Sequence, residues 1–84
     1  AIGLNYWDHC REQNVKPPSR PIIFTKFSTA IVGPEATVKW DPTLTQKVDF
    51  EAELAVVIGK KARLVRKEAA LDYVAGYTCA NDVS

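Results

Sequence analysis

Between residues 48 and 58 every second side chain is apolar: Val48, Phe50, Ala52, Leu54, Val56 and Ile58. A period of two is the geometry of a β-strand, whose successive side chains point to opposite faces, so this run predicts one long strand with a continuous apolar face. The other face, Asp49, Glu51, Glu53, Ala55 and Val57, changes character halfway. A strand with one wet face accounts for the acids, but Ala55 and Val57 imply that the same face goes under cover beyond Glu53. Glu51 and Glu53 then stand at the mouth of an enclosed space, their Cα atoms about 6.5–7 Å apart by strand geometry. Two like charges about 4 Å apart repel by roughly 4 kcal/mol at an effective dielectric of 20, and a divalent cation removes that cost. Oxygen-only ligands select hard ions, magnesium, manganese or calcium, over zinc. Asp82, after a glycine-bearing turn, is the best candidate for a third ligand. Spacing alone leaves both readings open, a metal centre and a solvated strand face.

Composition narrows the class of partner. The 84 residues, 46% hydrophobic and 25% charged, suit one small globular domain with one core at most. Eleven Lys and Arg against ten Asp and Glu give no basic excess, so nucleic acid is not an expected partner. The cluster Lys60, Lys61, Arg63, Arg66 and Lys67 reads as a solvated turn and helix start. No run approaches the roughly 20 apolar residues of a membrane span, and no signal-peptide pattern is present, so a soluble protein without a membrane partner is expected. Cys10 and Cys79 fit neither a disulfide scaffold nor a zinc motif and read as reduced intracellular thiols. The apolar opening at Ala1 to Leu4 and the close on Asn81 to Ser84 lack the usual polar, frayed character of domain ends, which predicts a piece of a longer chain.

The remaining elements follow from local signals. Residues 1–5 read as a short strand and residues 6–14 as a short helix. Pro17, Pro18 and Pro21 make an extended, semi-rigid loop. Strands are predicted over 22–27, 36–40 and 76–84, and a helix over 66–74. Turns fall at Gly33-Pro34-Glu35, Asp41-Pro42 and Gly59-Lys60-Lys61. Strands outnumber helices, so the fold class is β-rich α+β.

A second constellation lies on the first helix. His9 and Glu12 are three apart, hence neighbours on one helical face. A glutamate beside an imidazole fixes its tautomer and raises its basicity, as a general base acting on water requires. A surface ion pair is the plainer account of the same spacing. Cys10 is a poor nucleophile candidate, because His9 is its immediate neighbour and no other histidine exists in the chain.

Taken in order, Gly3-Leu4-Asn5-Tyr6, Asp8-His9, Glu12, Phe24-x-Lys26, Ile31-Val32-Gly33-Pro34, the run from Val48 to Lys60, Val74-Ala75-Gly76-Tyr77-Thr78 and Asn81-Asp82-Val83-Ser84 closely resemble the fumarylacetoacetate hydrolase family over the whole chain. The stretches DHCREQNV and PIIFTKF look most like its domain-containing protein 2 branch. The resemblance implies a mixed β-sandwich roll of which residues 1–84 are the N-terminal part of a single catalytic domain, and a homodimer when full length. It further implies magnesium or manganese on Glu51, Glu53 and Asp82, and a catalytic dyad of His9 and Glu12 on a mobile lid. Lys26 would approach substrate anions, although a solvated strand lysine is an equal reading. The founding enzyme's further metal-binding aspartate falls where this chain has Ile2 or Gly3, so the three-carboxylate version is implied.

The activity so implied is cleavage of a C–C bond in a β-diketo acid of the acylpyruvate or fumarylpyruvate type, with a metal-stabilised enolate and water activated by the dyad. Oxaloacetate tautomerisation or decarboxylation on the same metal is the alternative. A non-catalytic β-domain holding a structural cation is the reading from another class. The expected compartment is mitochondrial or cytoplasmic.

Overall fold

The computed structural model covers residues 1–84, which group into two units, Ala1–Lys39 and Trp40–Ser84. In the first unit, β1 (Ile2–Gly3) pairs antiparallel with β2 (Ile22–Ile23), Ile2 opposite Ile23 and Gly3 opposite Ile22. The Phe24 N–H donates to the Ala1 carbonyl at 3.1 Å and lengthens this short ladder. Between the strands runs α1 (Trp7–Glu12), where a helix is expected from the sequence. Its end is set by Asn14, in the left-handed region at φ 53°. The Asn14 N–H donates to the Arg11 carbonyl at 3.1 Å and the Val15 N–H to the Cys10 carbonyl at 3.0 Å, the paired bonds of a Schellman stop. Cys10 is only 1% exposed, and its thiol donates to the Leu4 carbonyl at 3.6 Å, fastening the helix to the turn before it. Residues 15–18 and Pro21 carry no regular structure, as three prolines dictate.

In the second unit, β3 (Ala52–Ile58) pairs antiparallel with β4 (Val74–Asn81), from Ala52 opposite Asn81 to Val57 opposite Gly76. A bulge follows, and Ile58 meets Val74. The Asp49 and Ser84 main chains exchange N–H···O bonds at 2.7 and 3.1 Å, so the same register continues past the assigned strand ends. The predicted helix over 66–74 is instead a 3₁₀ segment, Lys67–Tyr73. At about 2.0 Å per residue against about 1.5 Å, the tighter helix reaches further, which suits a connection that must deliver Val74 into the sheet.

Several strand expectations shrink: the strand over 1–5 is reduced to Ile2–Gly3 and the long one over 48–58 to Ala52–Ile58. The predicted strand 22–27 ends at Ile23 and gives way to a 3₁₀ turn, Ser28–Ala30; the predicted strand 36–40 is absent. A strand exists only by pairing, and no neighbour offers residues 36–40 a ladder. The expected core is also not realised, since Cys10 is the one fully buried side chain. A two-stranded ribbon has nothing of its own to lay across its apolar face, and Phe50 and Leu54 remain 76% and 62% exposed. Two antiparallel sheets with few helices give the β-rich α+β class expected from the sequence. No helix is long and apolar enough to cross a membrane. Both cysteines are free thiols, Cys10 buried and Cys79 exposed.

Candidate functional site

The register of the second sheet decides which acids share a face. Ala52 lies opposite Asn81, so one step further Glu51 lies opposite Asp82, and the Asp82 N–H donates to the Glu51 carbonyl at 2.9 Å. Glu53 lies opposite Ala80. Residues directly opposite each other, and residues two apart on one strand, point to the same side of a sheet. Glu51, Glu53 and Asp82 therefore occupy one face, with the methyl of Ala80 the only side chain at the fourth corner. Opposed Cβ atoms are about 4.5–5.5 Å apart in such a ladder, within the reach of two carboxylates bending to one ion.

Burial does not follow the change of character predicted along this face beyond Glu53. Glu53, Ala55 and Asp82 are half-buried, whereas Glu51 is exposed. Val57 departs from the expectation of cover, being 49% exposed. As oriented, no three His, Cys, Asp or Glu side chains converge into a coordination shell. By chemistry the set fits a hard divalent cation: three oxygen donors, no sulfur or imidazole, and a small neighbour between them.

The remaining candidates belong to the first unit. His9 and Glu12 lie one turn apart on α1, both exposed, and no ion pair joins them. The His9 main-chain N–H donates to the Asp8 carboxylate at 2.9 Å, which satisfies a helix-start donor without involving the imidazole. The Nζ of Lys26 lies 5.7 Å from the centroid of the Phe24 ring, a cation–π contact between residues two apart on an extended segment. Beside α1 a shallow open recess of about 190 Å³ is lined by Leu4, Tyr6, Trp7, Cys10, Pro17 and Pro18. Sequence reasoning does not bring these residues together, because the aromatic pair and the prolines read separately as helix start and loop.

Sequence reasoning also misses Asn81, whose side-chain oxygen accepts the Glu51 N–H at 3.0 Å. The one available signal is its place beside Asp82.

The second unit thus presents three carboxylates on one face of an antiparallel ribbon, and the first carries His9 and Glu12 on a short helix. The sequence profile described as Fumarylacetoacetate (FAA) hydrolase C-terminal matches residues 1–84, and the chain belongs to that family. Among curated relatives, the mitochondrial oxaloacetate tautomerase fahd2 of Xenopus laevis is 57% identical over 84 residues, all of this chain and 26% of that protein. The human mitochondrial oxaloacetate tautomerase FAHD2A is 54% identical over the same span, again 26% of its length. A crystal structure of a protein from Mycobacterium smegmatis assigned provisionally as HpcE superimposes with a TM-score of 0.86 at 41% identity, covering 99% of this chain and 29% of that one. The chain thus spans about a quarter of the length of the curated relatives it matches.

Proposed function

We propose that the protein carrying this chain is a divalent-metal-dependent enzyme acting on small 2-oxo acids, with keto–enol tautomerisation of oxaloacetate preferred over hydrolysis of an acylpyruvate. The observation that carries the metal-centred part is the β3–β4 register, which gives Glu51, Glu53 and Asp82 one face. The preference for tautomerisation rests on relatives named as oxaloacetate tautomerases at more than half identity. It reverses the order in which the sequence motifs alone rank the two reactions. Those relatives are named as mitochondrial, and the same compartment is proposed here. A homodimer of the full-length protein is proposed on the family resemblance.

Glu51, Glu53 and Asp82 would hold magnesium or manganese, with calcium a further hard ion of the same chemistry. When bound, the cation supplies the positive charge that favours an enolate over the neutral oxo acid. His9, with Glu12 one turn along the helix, is the group that moves a proton. It takes one from the carbon beside the 2-oxo group, breaking that C–H bond, and returns a proton to the oxygen to complete the enol, with no C–C bond broken. Lys26 would bind a substrate carboxylate. Hydrolysis would require His9 to activate water in addition.

A cation site of purely structural use is the competing reading, and oxalate, a planar mimic of the pyruvate enolate, separates the two. In the full-length protein, manganese titrated by calorimetry is expected to bind more tightly with oxalate present, because a catalytic ion keeps open positions. Glu53→Gln is expected to abolish the heat of manganese binding while leaving the fold intact. Indifference to oxalate would favour the structural cation; parent-like affinity in Glu53→Gln would put the ion elsewhere.

A further inference from the structure

The side-chain oxygen of Asn81 reaches across the sheet and accepts the main-chain N–H of Glu51 at 3.0 Å. The donor is a backbone amide, so the oxygen of the Asn81 amide, not its nitrogen, must face it. The next residue, Asp82, donates its own N–H to the Glu51 carbonyl at 2.9 Å. Both main-chain polar groups of Glu51 are therefore held by two consecutive residues of the partner strand. The contact sits between the last regular pair, Ala52 with Asn81, and the Asp49–Ser84 pair that exchanges both its bonds. By alternation Cβ of Asn81 leaves the strand on the face opposite the carboxylates, so its oxygen is spent on the backbone rather than on an ion.

We infer that Asn81 is a positioning residue of the carboxylate centre, fixing the Glu51 main chain so that the Glu51 and Asp82 side chains stand level on one face. The inference rests on the metal reading proposed above. Glu51 is the exposed member of the set, and in its pair with Asp82 the N–H of Glu51 bonds to a side chain instead of the main chain opposite. Of the three acids it is the one whose direction needs a second anchor. Metal ligands are commonly oriented by such outer partners, and loss of one weakens ion binding about 10- to 100-fold.

The test uses the full-length protein, manganese alone as probe, and two readouts. In Asn81→Ala, amide exchange at Glu51 without added metal is expected to speed up, and manganese affinity to fall about tenfold or more. Asn81→Asp, which keeps an oxygen at the same reach, is expected to restore both. Should Asn81→Ala not fold by circular dichroism, Asn81→Ser carries the same expectation, since its hydroxyl is too short to span the strands. Parent-like affinity in Asn81→Ala overturns the role, whether or not exchange quickens, and so does failure of Asn81→Asp to recover exchange protection. Glu53→Gln in the same titration separates the levels. If it binds manganese as the parent does, the metal reading falls and this inference with it; if it loses the ion while Asn81→Ala keeps it, only the role of Asn81 falls.

Discussion

At the scale of single residues, hydrogen bonding tunes charge even where nothing is buried. The Asp41 carboxylate accepts the Thr43 hydroxyl at 2.7 Å and the Thr43 N–H at 2.8 Å, and these two bonds hold its carboxyl below the ordinary value, the hydroxyl contributing most. A folded value below the unfolded one stabilises the turn above the ordinary carboxylate range, and that contribution is lost as pH falls through the folded value. Thr43→Ala should therefore move the Asp41 titration, followed by carbonyl resonances, back toward its ordinary position; an unmoved midpoint would deny the hydroxyl its part. The acids of β3 were legible in the sequence because alternation assigns faces without knowledge of partners. Asn81 was not, because a side chain bonding a main-chain group thirty residues away leaves no periodic trace. The His9–Glu12 spacing was legible as a helical pair, yet the two side chains make no ion pair on α1. That contrast makes His9→Asn informative. Acylpyruvate hydrolysis needs activated water and should fall about 10²- to 10⁴-fold without its base. Oxaloacetate tautomerisation should fall less if Lys26 or a residue outside the chain can accept the proton. Equal and undiminished rates for both reactions would return His9 to a plain surface residue.

Elements follow from what pairs with what. The period-two run gave β3 its identity, and its register with β4 is pinned where Gly59 ends the strand. The Gly59 N–H donates to the Tyr73 carbonyl at 2.8 Å just past the bulge between Val57 and Ile58. A Cβ added there would lie 2.7 Å from Cβ of Ala75 and 3.3 Å from its Cα. Ala75 is in β4 and cannot swing aside as a long side chain would. Gly59→Ala should thus cost about 1–3 kcal/mol in chemical denaturation, the usual price of overpacking, with the loss traced to the second unit by amide exchange. Unchanged stability would mean that the ribbon shifts freely at this bulge. Helix and strand type were legible from composition where a segment was long and periodic. The 3₁₀ form of Lys67–Tyr73 was not, because its sequence is that of an ordinary α-helix and the strand waiting at Val74 selects the tighter form. The missing strand over 36–40 carries the same lesson, since propensity without a partner makes no sheet.

At the scale of the whole molecule, the candidate residues divide between the two units, with His9, Glu12 and Lys26 in Ala1–Lys39 and the three carboxylates in Trp40–Ser84. Order along the chain made both sets legible through family resemblance, and register made the second set geometrical. The proposed function requires that a ligand held by the second unit be felt by α1 in the first. Residues 6–14 hold the six-residue helix Trp7–Glu12 with a single buried side chain, Cys10, and such a segment opens at little cost. A ligand that recruits it would exclude water from the reacting atoms and slow its exchange. In the full-length protein, amide exchange over residues 6–14 is expected to slow on adding manganese with oxalate, less with manganese alone, and not at all in Glu53→Gln. The Glu53 variant is the decisive arm, because it removes a carboxylate from the second unit without changing any residue of α1. Slowing that persists in Glu53→Gln would mean that oxalate binds the helix directly. Equal exchange with and without ligand in the parent would separate the His9–Glu12 helix from the carboxylate centre and leave the two units without a shared reaction.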